Sequence, residues 1–208
     1  MLVNNGVKNL MTISNFLIFN QFTMKFLVQK ASVVLAVAFA TALSVNAQSG
    51  TVQVGGEAMF PKKNIVENAV NSKAHTTLVA AVQAAGLVET LKSAGPFTVF
   101  APVNDAFENL PAGTVETLLK PENKATLTKV LTYHVVAGKY DFKTLSGMLK
   151  KGNNTLKTVS GGTLTFMMNG TRNIIVKDEN GNMANISTYD VYQSNGVIHS
   201  IDTVLLPK

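Results

Sequence analysis

Between Gly95 and Phe107 the chain reads Gly-Pro-Phe-Thr-Val-Phe-Ala-Pro-Val-Asn-Asp-Ala-Phe, and no other stretch restricts its fold so tightly. Phe97-Thr98-Val99-Phe100 is a β-branched and aromatic run that opens after a Gly-Pro breaker and closes at Ala101-Pro102, the pattern of a buried strand with fixed ends. Pro102 falls where a missing N–H does no harm. Asn104 or Asp105 can accept from the free amides of a first helical turn, and Ala106-Phe107 begins an apolar face. The segment therefore specifies a strand, a tight corner and a helix in immediate succession.

The front of the chain has a different character. Met24-Lys25 and Lys30 form a basic start, Ala31 to Val45 is an apolar run of mostly Ala, Val and Leu, and Val45-Asn46-Ala47 ends it with small residues. That order marks residues 24–47 as a cleavable secretory signal, cut after Ala47. The apolar run falls short of the roughly 20 residues that a helix needs to span hydrocarbon, so no stable membrane insertion is expected after cleavage. Residues 1–23 precede the basic start and read as a long leader or as a start placed too early, with Met24 the true first residue. The expected product is secreted or periplasmic.

Loss of residues 1–47 removes Lys8, Lys25 and Lys30 and no acid, which lowers the formal charge from +6 to +3. The remaining lysines are scattered, without interleaved aromatics, so nucleic acid is not an expected partner. The chain has no cysteine. Disulfides, a lipid-modified cysteine and thiolate metal sites are thereby excluded.

Residues 48–63 contain Gly50, Gly55, Gly56 and Pro61 with little apolar periodicity and read as a flexible linker. Order is expected from Asn64. Ile65, Val66, Ala69 and Val70 recur at helical spacing; Leu78, Ala81, Val82 and Ala85 make a clearer helix closed by Gly86; Leu87 to Lys92 makes a third. Beyond Phe107, Thr114 to Leu119 and Pro121 to Leu131 carry further helical faces, and Thr132-Tyr133-His134-Val135-Val136 reads as strand. From Leu156 the period changes to two, with Gly161-Gly162, Asn169-Gly170 and Asn180-Gly181 as hairpin turns. Alternation there sends one of Met167 and Met168 inward and the other outward. Gly196 to Pro207 is expected to close the meander as a strand pair, and residues 64–208 to form one domain.

Three blocks then carry a family pattern: Thr98 to Phe107, Leu131 to Tyr140 (Leu-Thr-Tyr-His-Val-Val-Ala-Gly-Lys-Tyr), and Ser194 to Pro207 (Ser-Asn-Gly-Val-Ile-His-Ser-Ile-Asp-Thr-Val-Leu-Leu-Pro). With them the chain resembles a fasciclin domain of the single-domain, secreted bacterial kind. The resemblance implies an α+β fold, a wedge-shaped β-sandwich with short helices packed at one side. It also implies an adhesion module without enzymatic activity or cofactor, which meets a protein or glycan on a cell surface, matrix or envelope through loops and a sheet edge. By position, Tyr133-His134 matches a Tyr-His motif proposed for integrin contact in vertebrate members. Asp190-Val191 falls where those members carry an Asp-Ile motif, with Val here in place of Ile. With Tyr192, these are the expected partner-binding residues. Thr98, Phe100, Pro102, Asn104, Phe107, Asn195, Gly196, His199 and Asp202 match the family blocks and are expected to act structurally.

Catalysis and metal binding find little support in the residues. His199-Ser200 with Asp202, or His134 with Asp105, would be a hydrolytic set, but neighbours on a strand face opposite ways and no Gly-x-Ser-x-Gly elbow is present. His75, His134 and His199 lack metal-ligand spacing. The commoner fate of His134 is a buried imidazole bonded to backbone near a loop. A second class of function is a carrier that holds a lipid or small apolar molecule between helices and sheet; a hydrolase comes third.

Overall fold

The computed structural model describes residues 51–208; the signal peptide and leader expected over residues 1–47 lie outside them. The first elements correct the expectation of a flexible linker. Residues 52–59 form a hairpin, β1 (Val52–Val54) and β2 (Glu57–Met59), turned by Gly55 and Gly56 at φ +62° and +80°. Val54 and Met59 are buried in the core. Three-residue strands are too short to register as alternation, and the paired glycines that suggested flexibility supply the left-handed turn.

Short helices follow. Helix α1 (Ile65–Ala69) starts in a capping box, in which Asn64 Oδ1 accepts from Glu67 N at 2.9 Å and Glu67 Oε2 accepts from Asn64 N at 2.8 Å. Helix α2 (Thr76–Ala85) ends at Gly86, φ +75°, and α3 (Val88–Lys92) leads to the Gly95-Pro96 corner. Strand β3 (Phe97–Pro102) runs directly into α4 (Asn104–Glu108), as its punctuation requires. Asn104 does not cap that helix. Its Oδ1 instead accepts from Thr77 N at 3.1 Å and its Nδ2 donates to the Lys73 carbonyl at 2.8 Å, so it fastens the start of α2 to the end of β3.

After α5 (Thr114–Leu118), α6 (Lys124–Tyr133) continues through residues expected to be strand, and β4 is confined to Val135–Ala137. Leu127, Val130 and Leu131 bury one helical face, and the Thr132 hydroxyl bonds back to the Thr128 carbonyl at 2.7 Å. Burial of that face overrides the β-propensity of Thr132 and Tyr133. Helix α7 (Phe142–Lys150) is capped by Asp141, whose side chain accepts from Thr144 N.

The meander β5 (Thr155–Lys157), β6 (Thr163–Asn169), β7 (Asn173–Lys177) and β8 (Met183–Gln193) turns at Gly161, Gly170 and Gly181, all at positive φ, where the hairpin signals stand. Met168 is exposed and Met167 half-buried. Strand β9 spans Gly196–Ile201, shorter than the expected strand pair; Val204 and Leu205 are buried without joining a strand. The seven-stranded sheet has the order β4-β3-β9-β8-β7-β6-β5, with β3 and β9 parallel and the other pairings antiparallel. Strands β3 and β9 are central and covered on both faces, which explains their continuous apolar composition. The sheet curls until Val159 N donates to the Val135 carbonyl at 2.8 Å. The expected sandwich is thus one curled sheet, nearly closed, with α1 to α6 against its outer face and α7 at its inner core.

Two main cores result. The outer face of the sheet, with Val99, Val135 and Ile198, packs against Ile65, Leu78 and Leu131 of the helices. Inside the curl lie Phe100, Tyr133, Val136, Phe166, Ile174 and Ile201, closed by Leu145 of α7. A smaller cluster joins Ala106, Val130 and Val204, with Phe107 against it.

Residues 194–196 join these parts. Asn195 Oδ1 accepts from Ile65 N at 3.0 Å, and its Nδ2 donates to the carbonyls of Leu91 and Ser93 at 2.8 and 3.0 Å. A Cβ on Gly196 would overlap the Phe97 carbonyl oxygen, and one on Gly95 would overlap that of Asn195. We expect Gly196→Ala to destabilise the fold by about 3 kcal/mol, with Asn195→Ala costing about 1–3 kcal/mol through its orphaned partners. Urea unfolding checks both, and a Gly196→Ala protein as stable as the parent would contradict the close backbone approach.

Candidate functional site

Tyr133 and His134, expected at a partner surface, are 0% and 3% exposed. The Tyr133 hydroxyl donates to the Thr163 carbonyl at 2.9 Å and accepts from Glu179 N at 3.1 Å, so one side chain from the end of α6 holds the β5–β6 and β7–β8 turns. Burial pushes its pKa up to about 12. His134 Nδ1 bonds to the Val130 carbonyl at 2.8 Å and Nε2 accepts from Leu205 N at 3.0 Å, which fixes the neutral Nδ1–H tautomer. Burial lowers its pKa to about 4. Both residues therefore tie the helix to the tail and the hairpins. Direct partner contact by this pair gives way to a role in shaping the fold around it, while the backbone-bonded imidazole expected for His134 is observed.

The second expected motif divides. Val191 is 1% exposed and belongs to the outer core, so it too is withdrawn from direct contact. Asp190 and Tyr192 remain half-exposed. Asp190 lies where the β8–β9 register shifts and takes φ +58°, a left-handed conformation that Asp tolerates better than most residues. Its Oδ1 accepts from Phe142 N at 2.7 Å and its own N–H points to His199 Nδ1 at 3.3 Å. The Tyr192 hydroxyl donates to Asp141 Oδ2 at 3.2 Å, and Lys139 Nζ sits 4.6 Å from the Tyr192 ring centre. Hydrogen bonds from Thr144 keep the Asp141 carboxyl below its ordinary pKa, and burial raises that of Tyr192. An aromatic ring, a cation and two carboxylates thus share one surface beside the start of α7. Nothing local in the sequence links Lys139 or Asp141 to Tyr192; they meet it only as tertiary contacts between remote parts of the chain.

The residues of the family blocks make the following contacts in the fold. Thr98 Oγ1 donates to the Gly138 carbonyl at 2.7 Å and accepts from Tyr140 N at 2.9 Å. Phe100 stacks on His199, with centroids 5.7 Å apart, and Pro102 closes β3 opposite Ile201. Asp202 receives Asn185 N and Nδ2, both at 2.8 Å. His199 is fully buried and its Nε2 bonds to the Tyr140 carbonyl at 2.7 Å, leaving Nδ1 for Asp190 N. Ser200 Oγ is buried without a partner. His199 and Ser200 share no hydrogen bond, and His134 has both ring nitrogens on backbone groups. Among the described residues no three His, Asp or Glu side chains gather as a metal site, and no helix is long and apolar enough to cross a membrane.

A third feature lies between α1, α2, α3 and the outer face of the sheet. A cavity of about 400 Å³ is walled by hydrocarbon, including Ile65, Leu78, Val82, Leu91, Val99 and Ile198. His75 also stands in this wall. Its Nδ1 is 2.8 Å from Ser72 Oγ, whereas its buried Nε2 has no hydrogen-bond partner. Burial lowers the pKa of this ring, and the Ala101 backbone partly opposes that shift without closing a hydrogen bond of standard geometry.

His134 is held neutral in the fold and takes a proton near its ordinary 6.5 once unfolded. The unfolded chain therefore binds more protons between about pH 6.5 and 4, so the stabilisation is full above 6.5 and declines as pH falls through that window. His75 and His199 are shifted in the same direction. We expect the urea midpoint to drop between pH 7 and 4.5, and the His134 ring resonance to stay in its neutral position until about pH 4. A His134 midpoint near 6.5 would contradict the buried, neutral ring.

The fasciclin domain family model matches residues 73–207. Protein sll1483 of Synechocystis sp. is 50% identical over 143 residues, covering 69% of this chain and 73% of that protein. The immunogenic protein MPB70 of Mycobacterium bovis is 35% identical over 164 residues, covering 76% of this chain and 75% of its own. Among solved structures, a FAS1 domain pair from the insect cell adhesion molecule Fasciclin I superimposes with a TM-score of 0.62 at 17% identity. The alignment takes in 70% of this chain and about half (51%) of the pair, and it supports the fold. With its three sequence blocks on a matching scaffold, the chain belongs to the fasciclin domain family.

Proposed function

We propose that this chain is an exported, non-enzymatic interaction domain that attaches to a protein or glycan on a cell surface, matrix or envelope through the surface around Asp190 and Tyr192. The observation that carries this reading is the division of the expected contact residues. Tyr133, His134 and Val191 are spent on the fold, whereas Asp190 and Tyr192 keep solvent access on a rigid support. Tyr192 is backed by Asp141 and flanked by Lys139, so its ring is offered with little rotamer freedom left to lose. An ordered aromatic rimmed by charges is a fitting anchor for a small, moderately polar interface. Related fasciclin proteins named as a cell adhesion molecule and as a cell surface glycolipoprotein agree with an attachment role. Backbone groups engage both nitrogens of His134 and of His199, so neither histidine of the hydrolytic sets weighed from the sequence is free as a base in the fold, which supports the non-enzymatic reading.

The test is retention of the protein on immobilised envelope or matrix extract. Tyr192→Ala and Lys139→Ala should each lower retention several-fold with thermal midpoints within a few degrees of the parent. Asp190→Gly, which keeps the positive φ available, separates the carboxylate from the backbone shape. Unchanged retention by folded Tyr192→Ala and Lys139→Ala proteins would remove this surface. Treating the coat with periodate or with protease then assigns the partner to glycan or protein.

A further inference from the structure

Charge is unevenly divided over the fold. Between Phe142 and Lys177 stand six bases, Lys143, Lys150, Lys151, Lys157, Arg172 and Lys177, and no acid, whereas the rest of residues 48–208 holds nine bases and twelve acids, a formal −3. Along the sequence the six are too widely spaced to make a basic run. The fold gathers the elements that carry them, because α7 packs on β6 and the strands β5, β6 and β7 are neighbours in the sheet. Five of the six are exposed and Lys177 is half-buried, and none enters either ion pair formed among the described residues. Charges of one sign in one region add to a field that a mixed surface would cancel.

The same part of the sheet has an outer face without cover. Leu164, Phe166, Ile174, Val176 and Ala184 turn into the inner core, so by alternation Lys157, Thr165, Met167, Ile175, Lys177 and Met183 point outward, and none of these belongs to the outer core under the helices. Register sets Ile175 beside Met167, and Lys177 between Thr165 and Met183. Met167, Ile175 and Met183 therefore make an apolar strip across three strands, with Met183 56% exposed and Lys157 and Lys177 standing beside it. Arg172 and the exposed Met168 lie at the β6–β7 turn, and Lys150 and Lys151 reach the same end of the sheet, where the Asn154 carbonyl accepts from Phe166 N at 2.7 Å. The bordering carboxylates are already engaged: Asp178 by the amides of Asn180, Asn182 and Leu206, Glu179 by those of Thr163 and Lys208, and Asp202 by that of Asn185.

We infer that the outer face of β5, β6 and β7 rests on anionic lipid bilayers, with its lysines and Arg172 against the headgroups and Met167, Ile175 and Met183 against the hydrocarbon boundary beneath them. A soluble polyanion would engage the charges and leave the methionines in water. A bilayer answers both features, because phosphate lies directly above hydrocarbon and a lysine stem can cover apolar surface while its head reaches the phosphate. Contact of this kind is peripheral and needs no spanning helix. The face is separate from the surface around Asp190 and Tyr192, and either can fail without the other.

Sedimentation with vesicles tests the assignment, using the chain from Gln48 onward, which carries both cores whole. Vesicles of phosphatidylcholine with one-third phosphatidylglycerol should take up the protein at least about tenfold better than phosphatidylcholine alone at low salt, and the difference should close as added salt shortens the screening length. Lys157→Gln and Lys177→Gln should each lower that uptake about fivefold, the factor for one charge at such a surface. Met183→Asn should lower it too while leaving its salt dependence as it was. Lys124→Gln on α6 and Tyr192→Ala in the attachment surface should bind vesicles as the parent does. Circular dichroism establishes that each variant is folded, and Arg172→Gln replaces Lys177→Gln if the latter is not. No preference for the anionic vesicles, an equal loss in Lys124→Gln, or uptake undiminished in folded Met183→Asn overturns the inference. Saturable binding of a soluble polyuronate by a protein that leaves anionic vesicles in suspension would assign the face to an acidic polymer and overturn the bilayer as its partner.

Discussion

The parallel pairing of β3 with β9 is the constraint on which the remaining structure depends. These strands come from distant parts of the chain, so nothing local brings them together, and their alignment begins where two backbones touch. Gly95 and Gly196 have no room for a Cβ, and Asn195 between them bonds to the start of α1 and the end of α3. Around that contact, helices α1 to α6 pack on one face of the sheet, and the inner core enclosed by the curl and closed by α7 lies on the other. A single point of backbone proximity thus sets the geometry of both cores.

Burial reverses the meaning of the most recognisable residues. Tyr133 and His134 are polar groups in the interior, where an unpaired donor or acceptor is costly, and every one of their side-chain polar atoms is satisfied by backbone. Such bonds are selective because each requires a particular arrangement of helix, tail and turn. Asp190 belongs to the same logic at the surface: its strained backbone is tolerable because Phe142 and His199 hold it from both sides.

Much of the fold was legible because its signals are local. The strand and corner before α4, the three glycine-marked hairpin turns and the Gly86 helix stop all depend on the conformational range of single residues. Where partners are remote, reading fails. Asn104, which with Asp105 is a local candidate to cap its own helix, instead serves α2, 27 residues earlier. Tyr133 and His134 looked like strand because β-propensity speaks before tertiary burial can be known. The β1–β2 hairpin owes its order to packing by Val54 and Met59 on a core formed by later residues. The surface at Tyr192 was half visible, through Asp190 and Tyr192 themselves; Lys139 and Asp141 join it only through tertiary contacts from the loop before α7. The cavity was anticipated as a possible groove, but no periodicity in the chain announces the space that three packed helices leave unfilled.

Strand β3 alternates its loyalties residue by residue: Val99 and Ala101 belong to the outer core, Phe100 to the inner one. Side-chain direction along a strand has period two, so a shift by one position would deliver a phenylalanine to the helices and a valine to the interior of the curl. Substitutions in β3 are errors of volume, felt in one core. Insertion or deletion of one residue is an error of parity, felt in both at once, and for that reason the length of this strand is held more rigidly than its spelling.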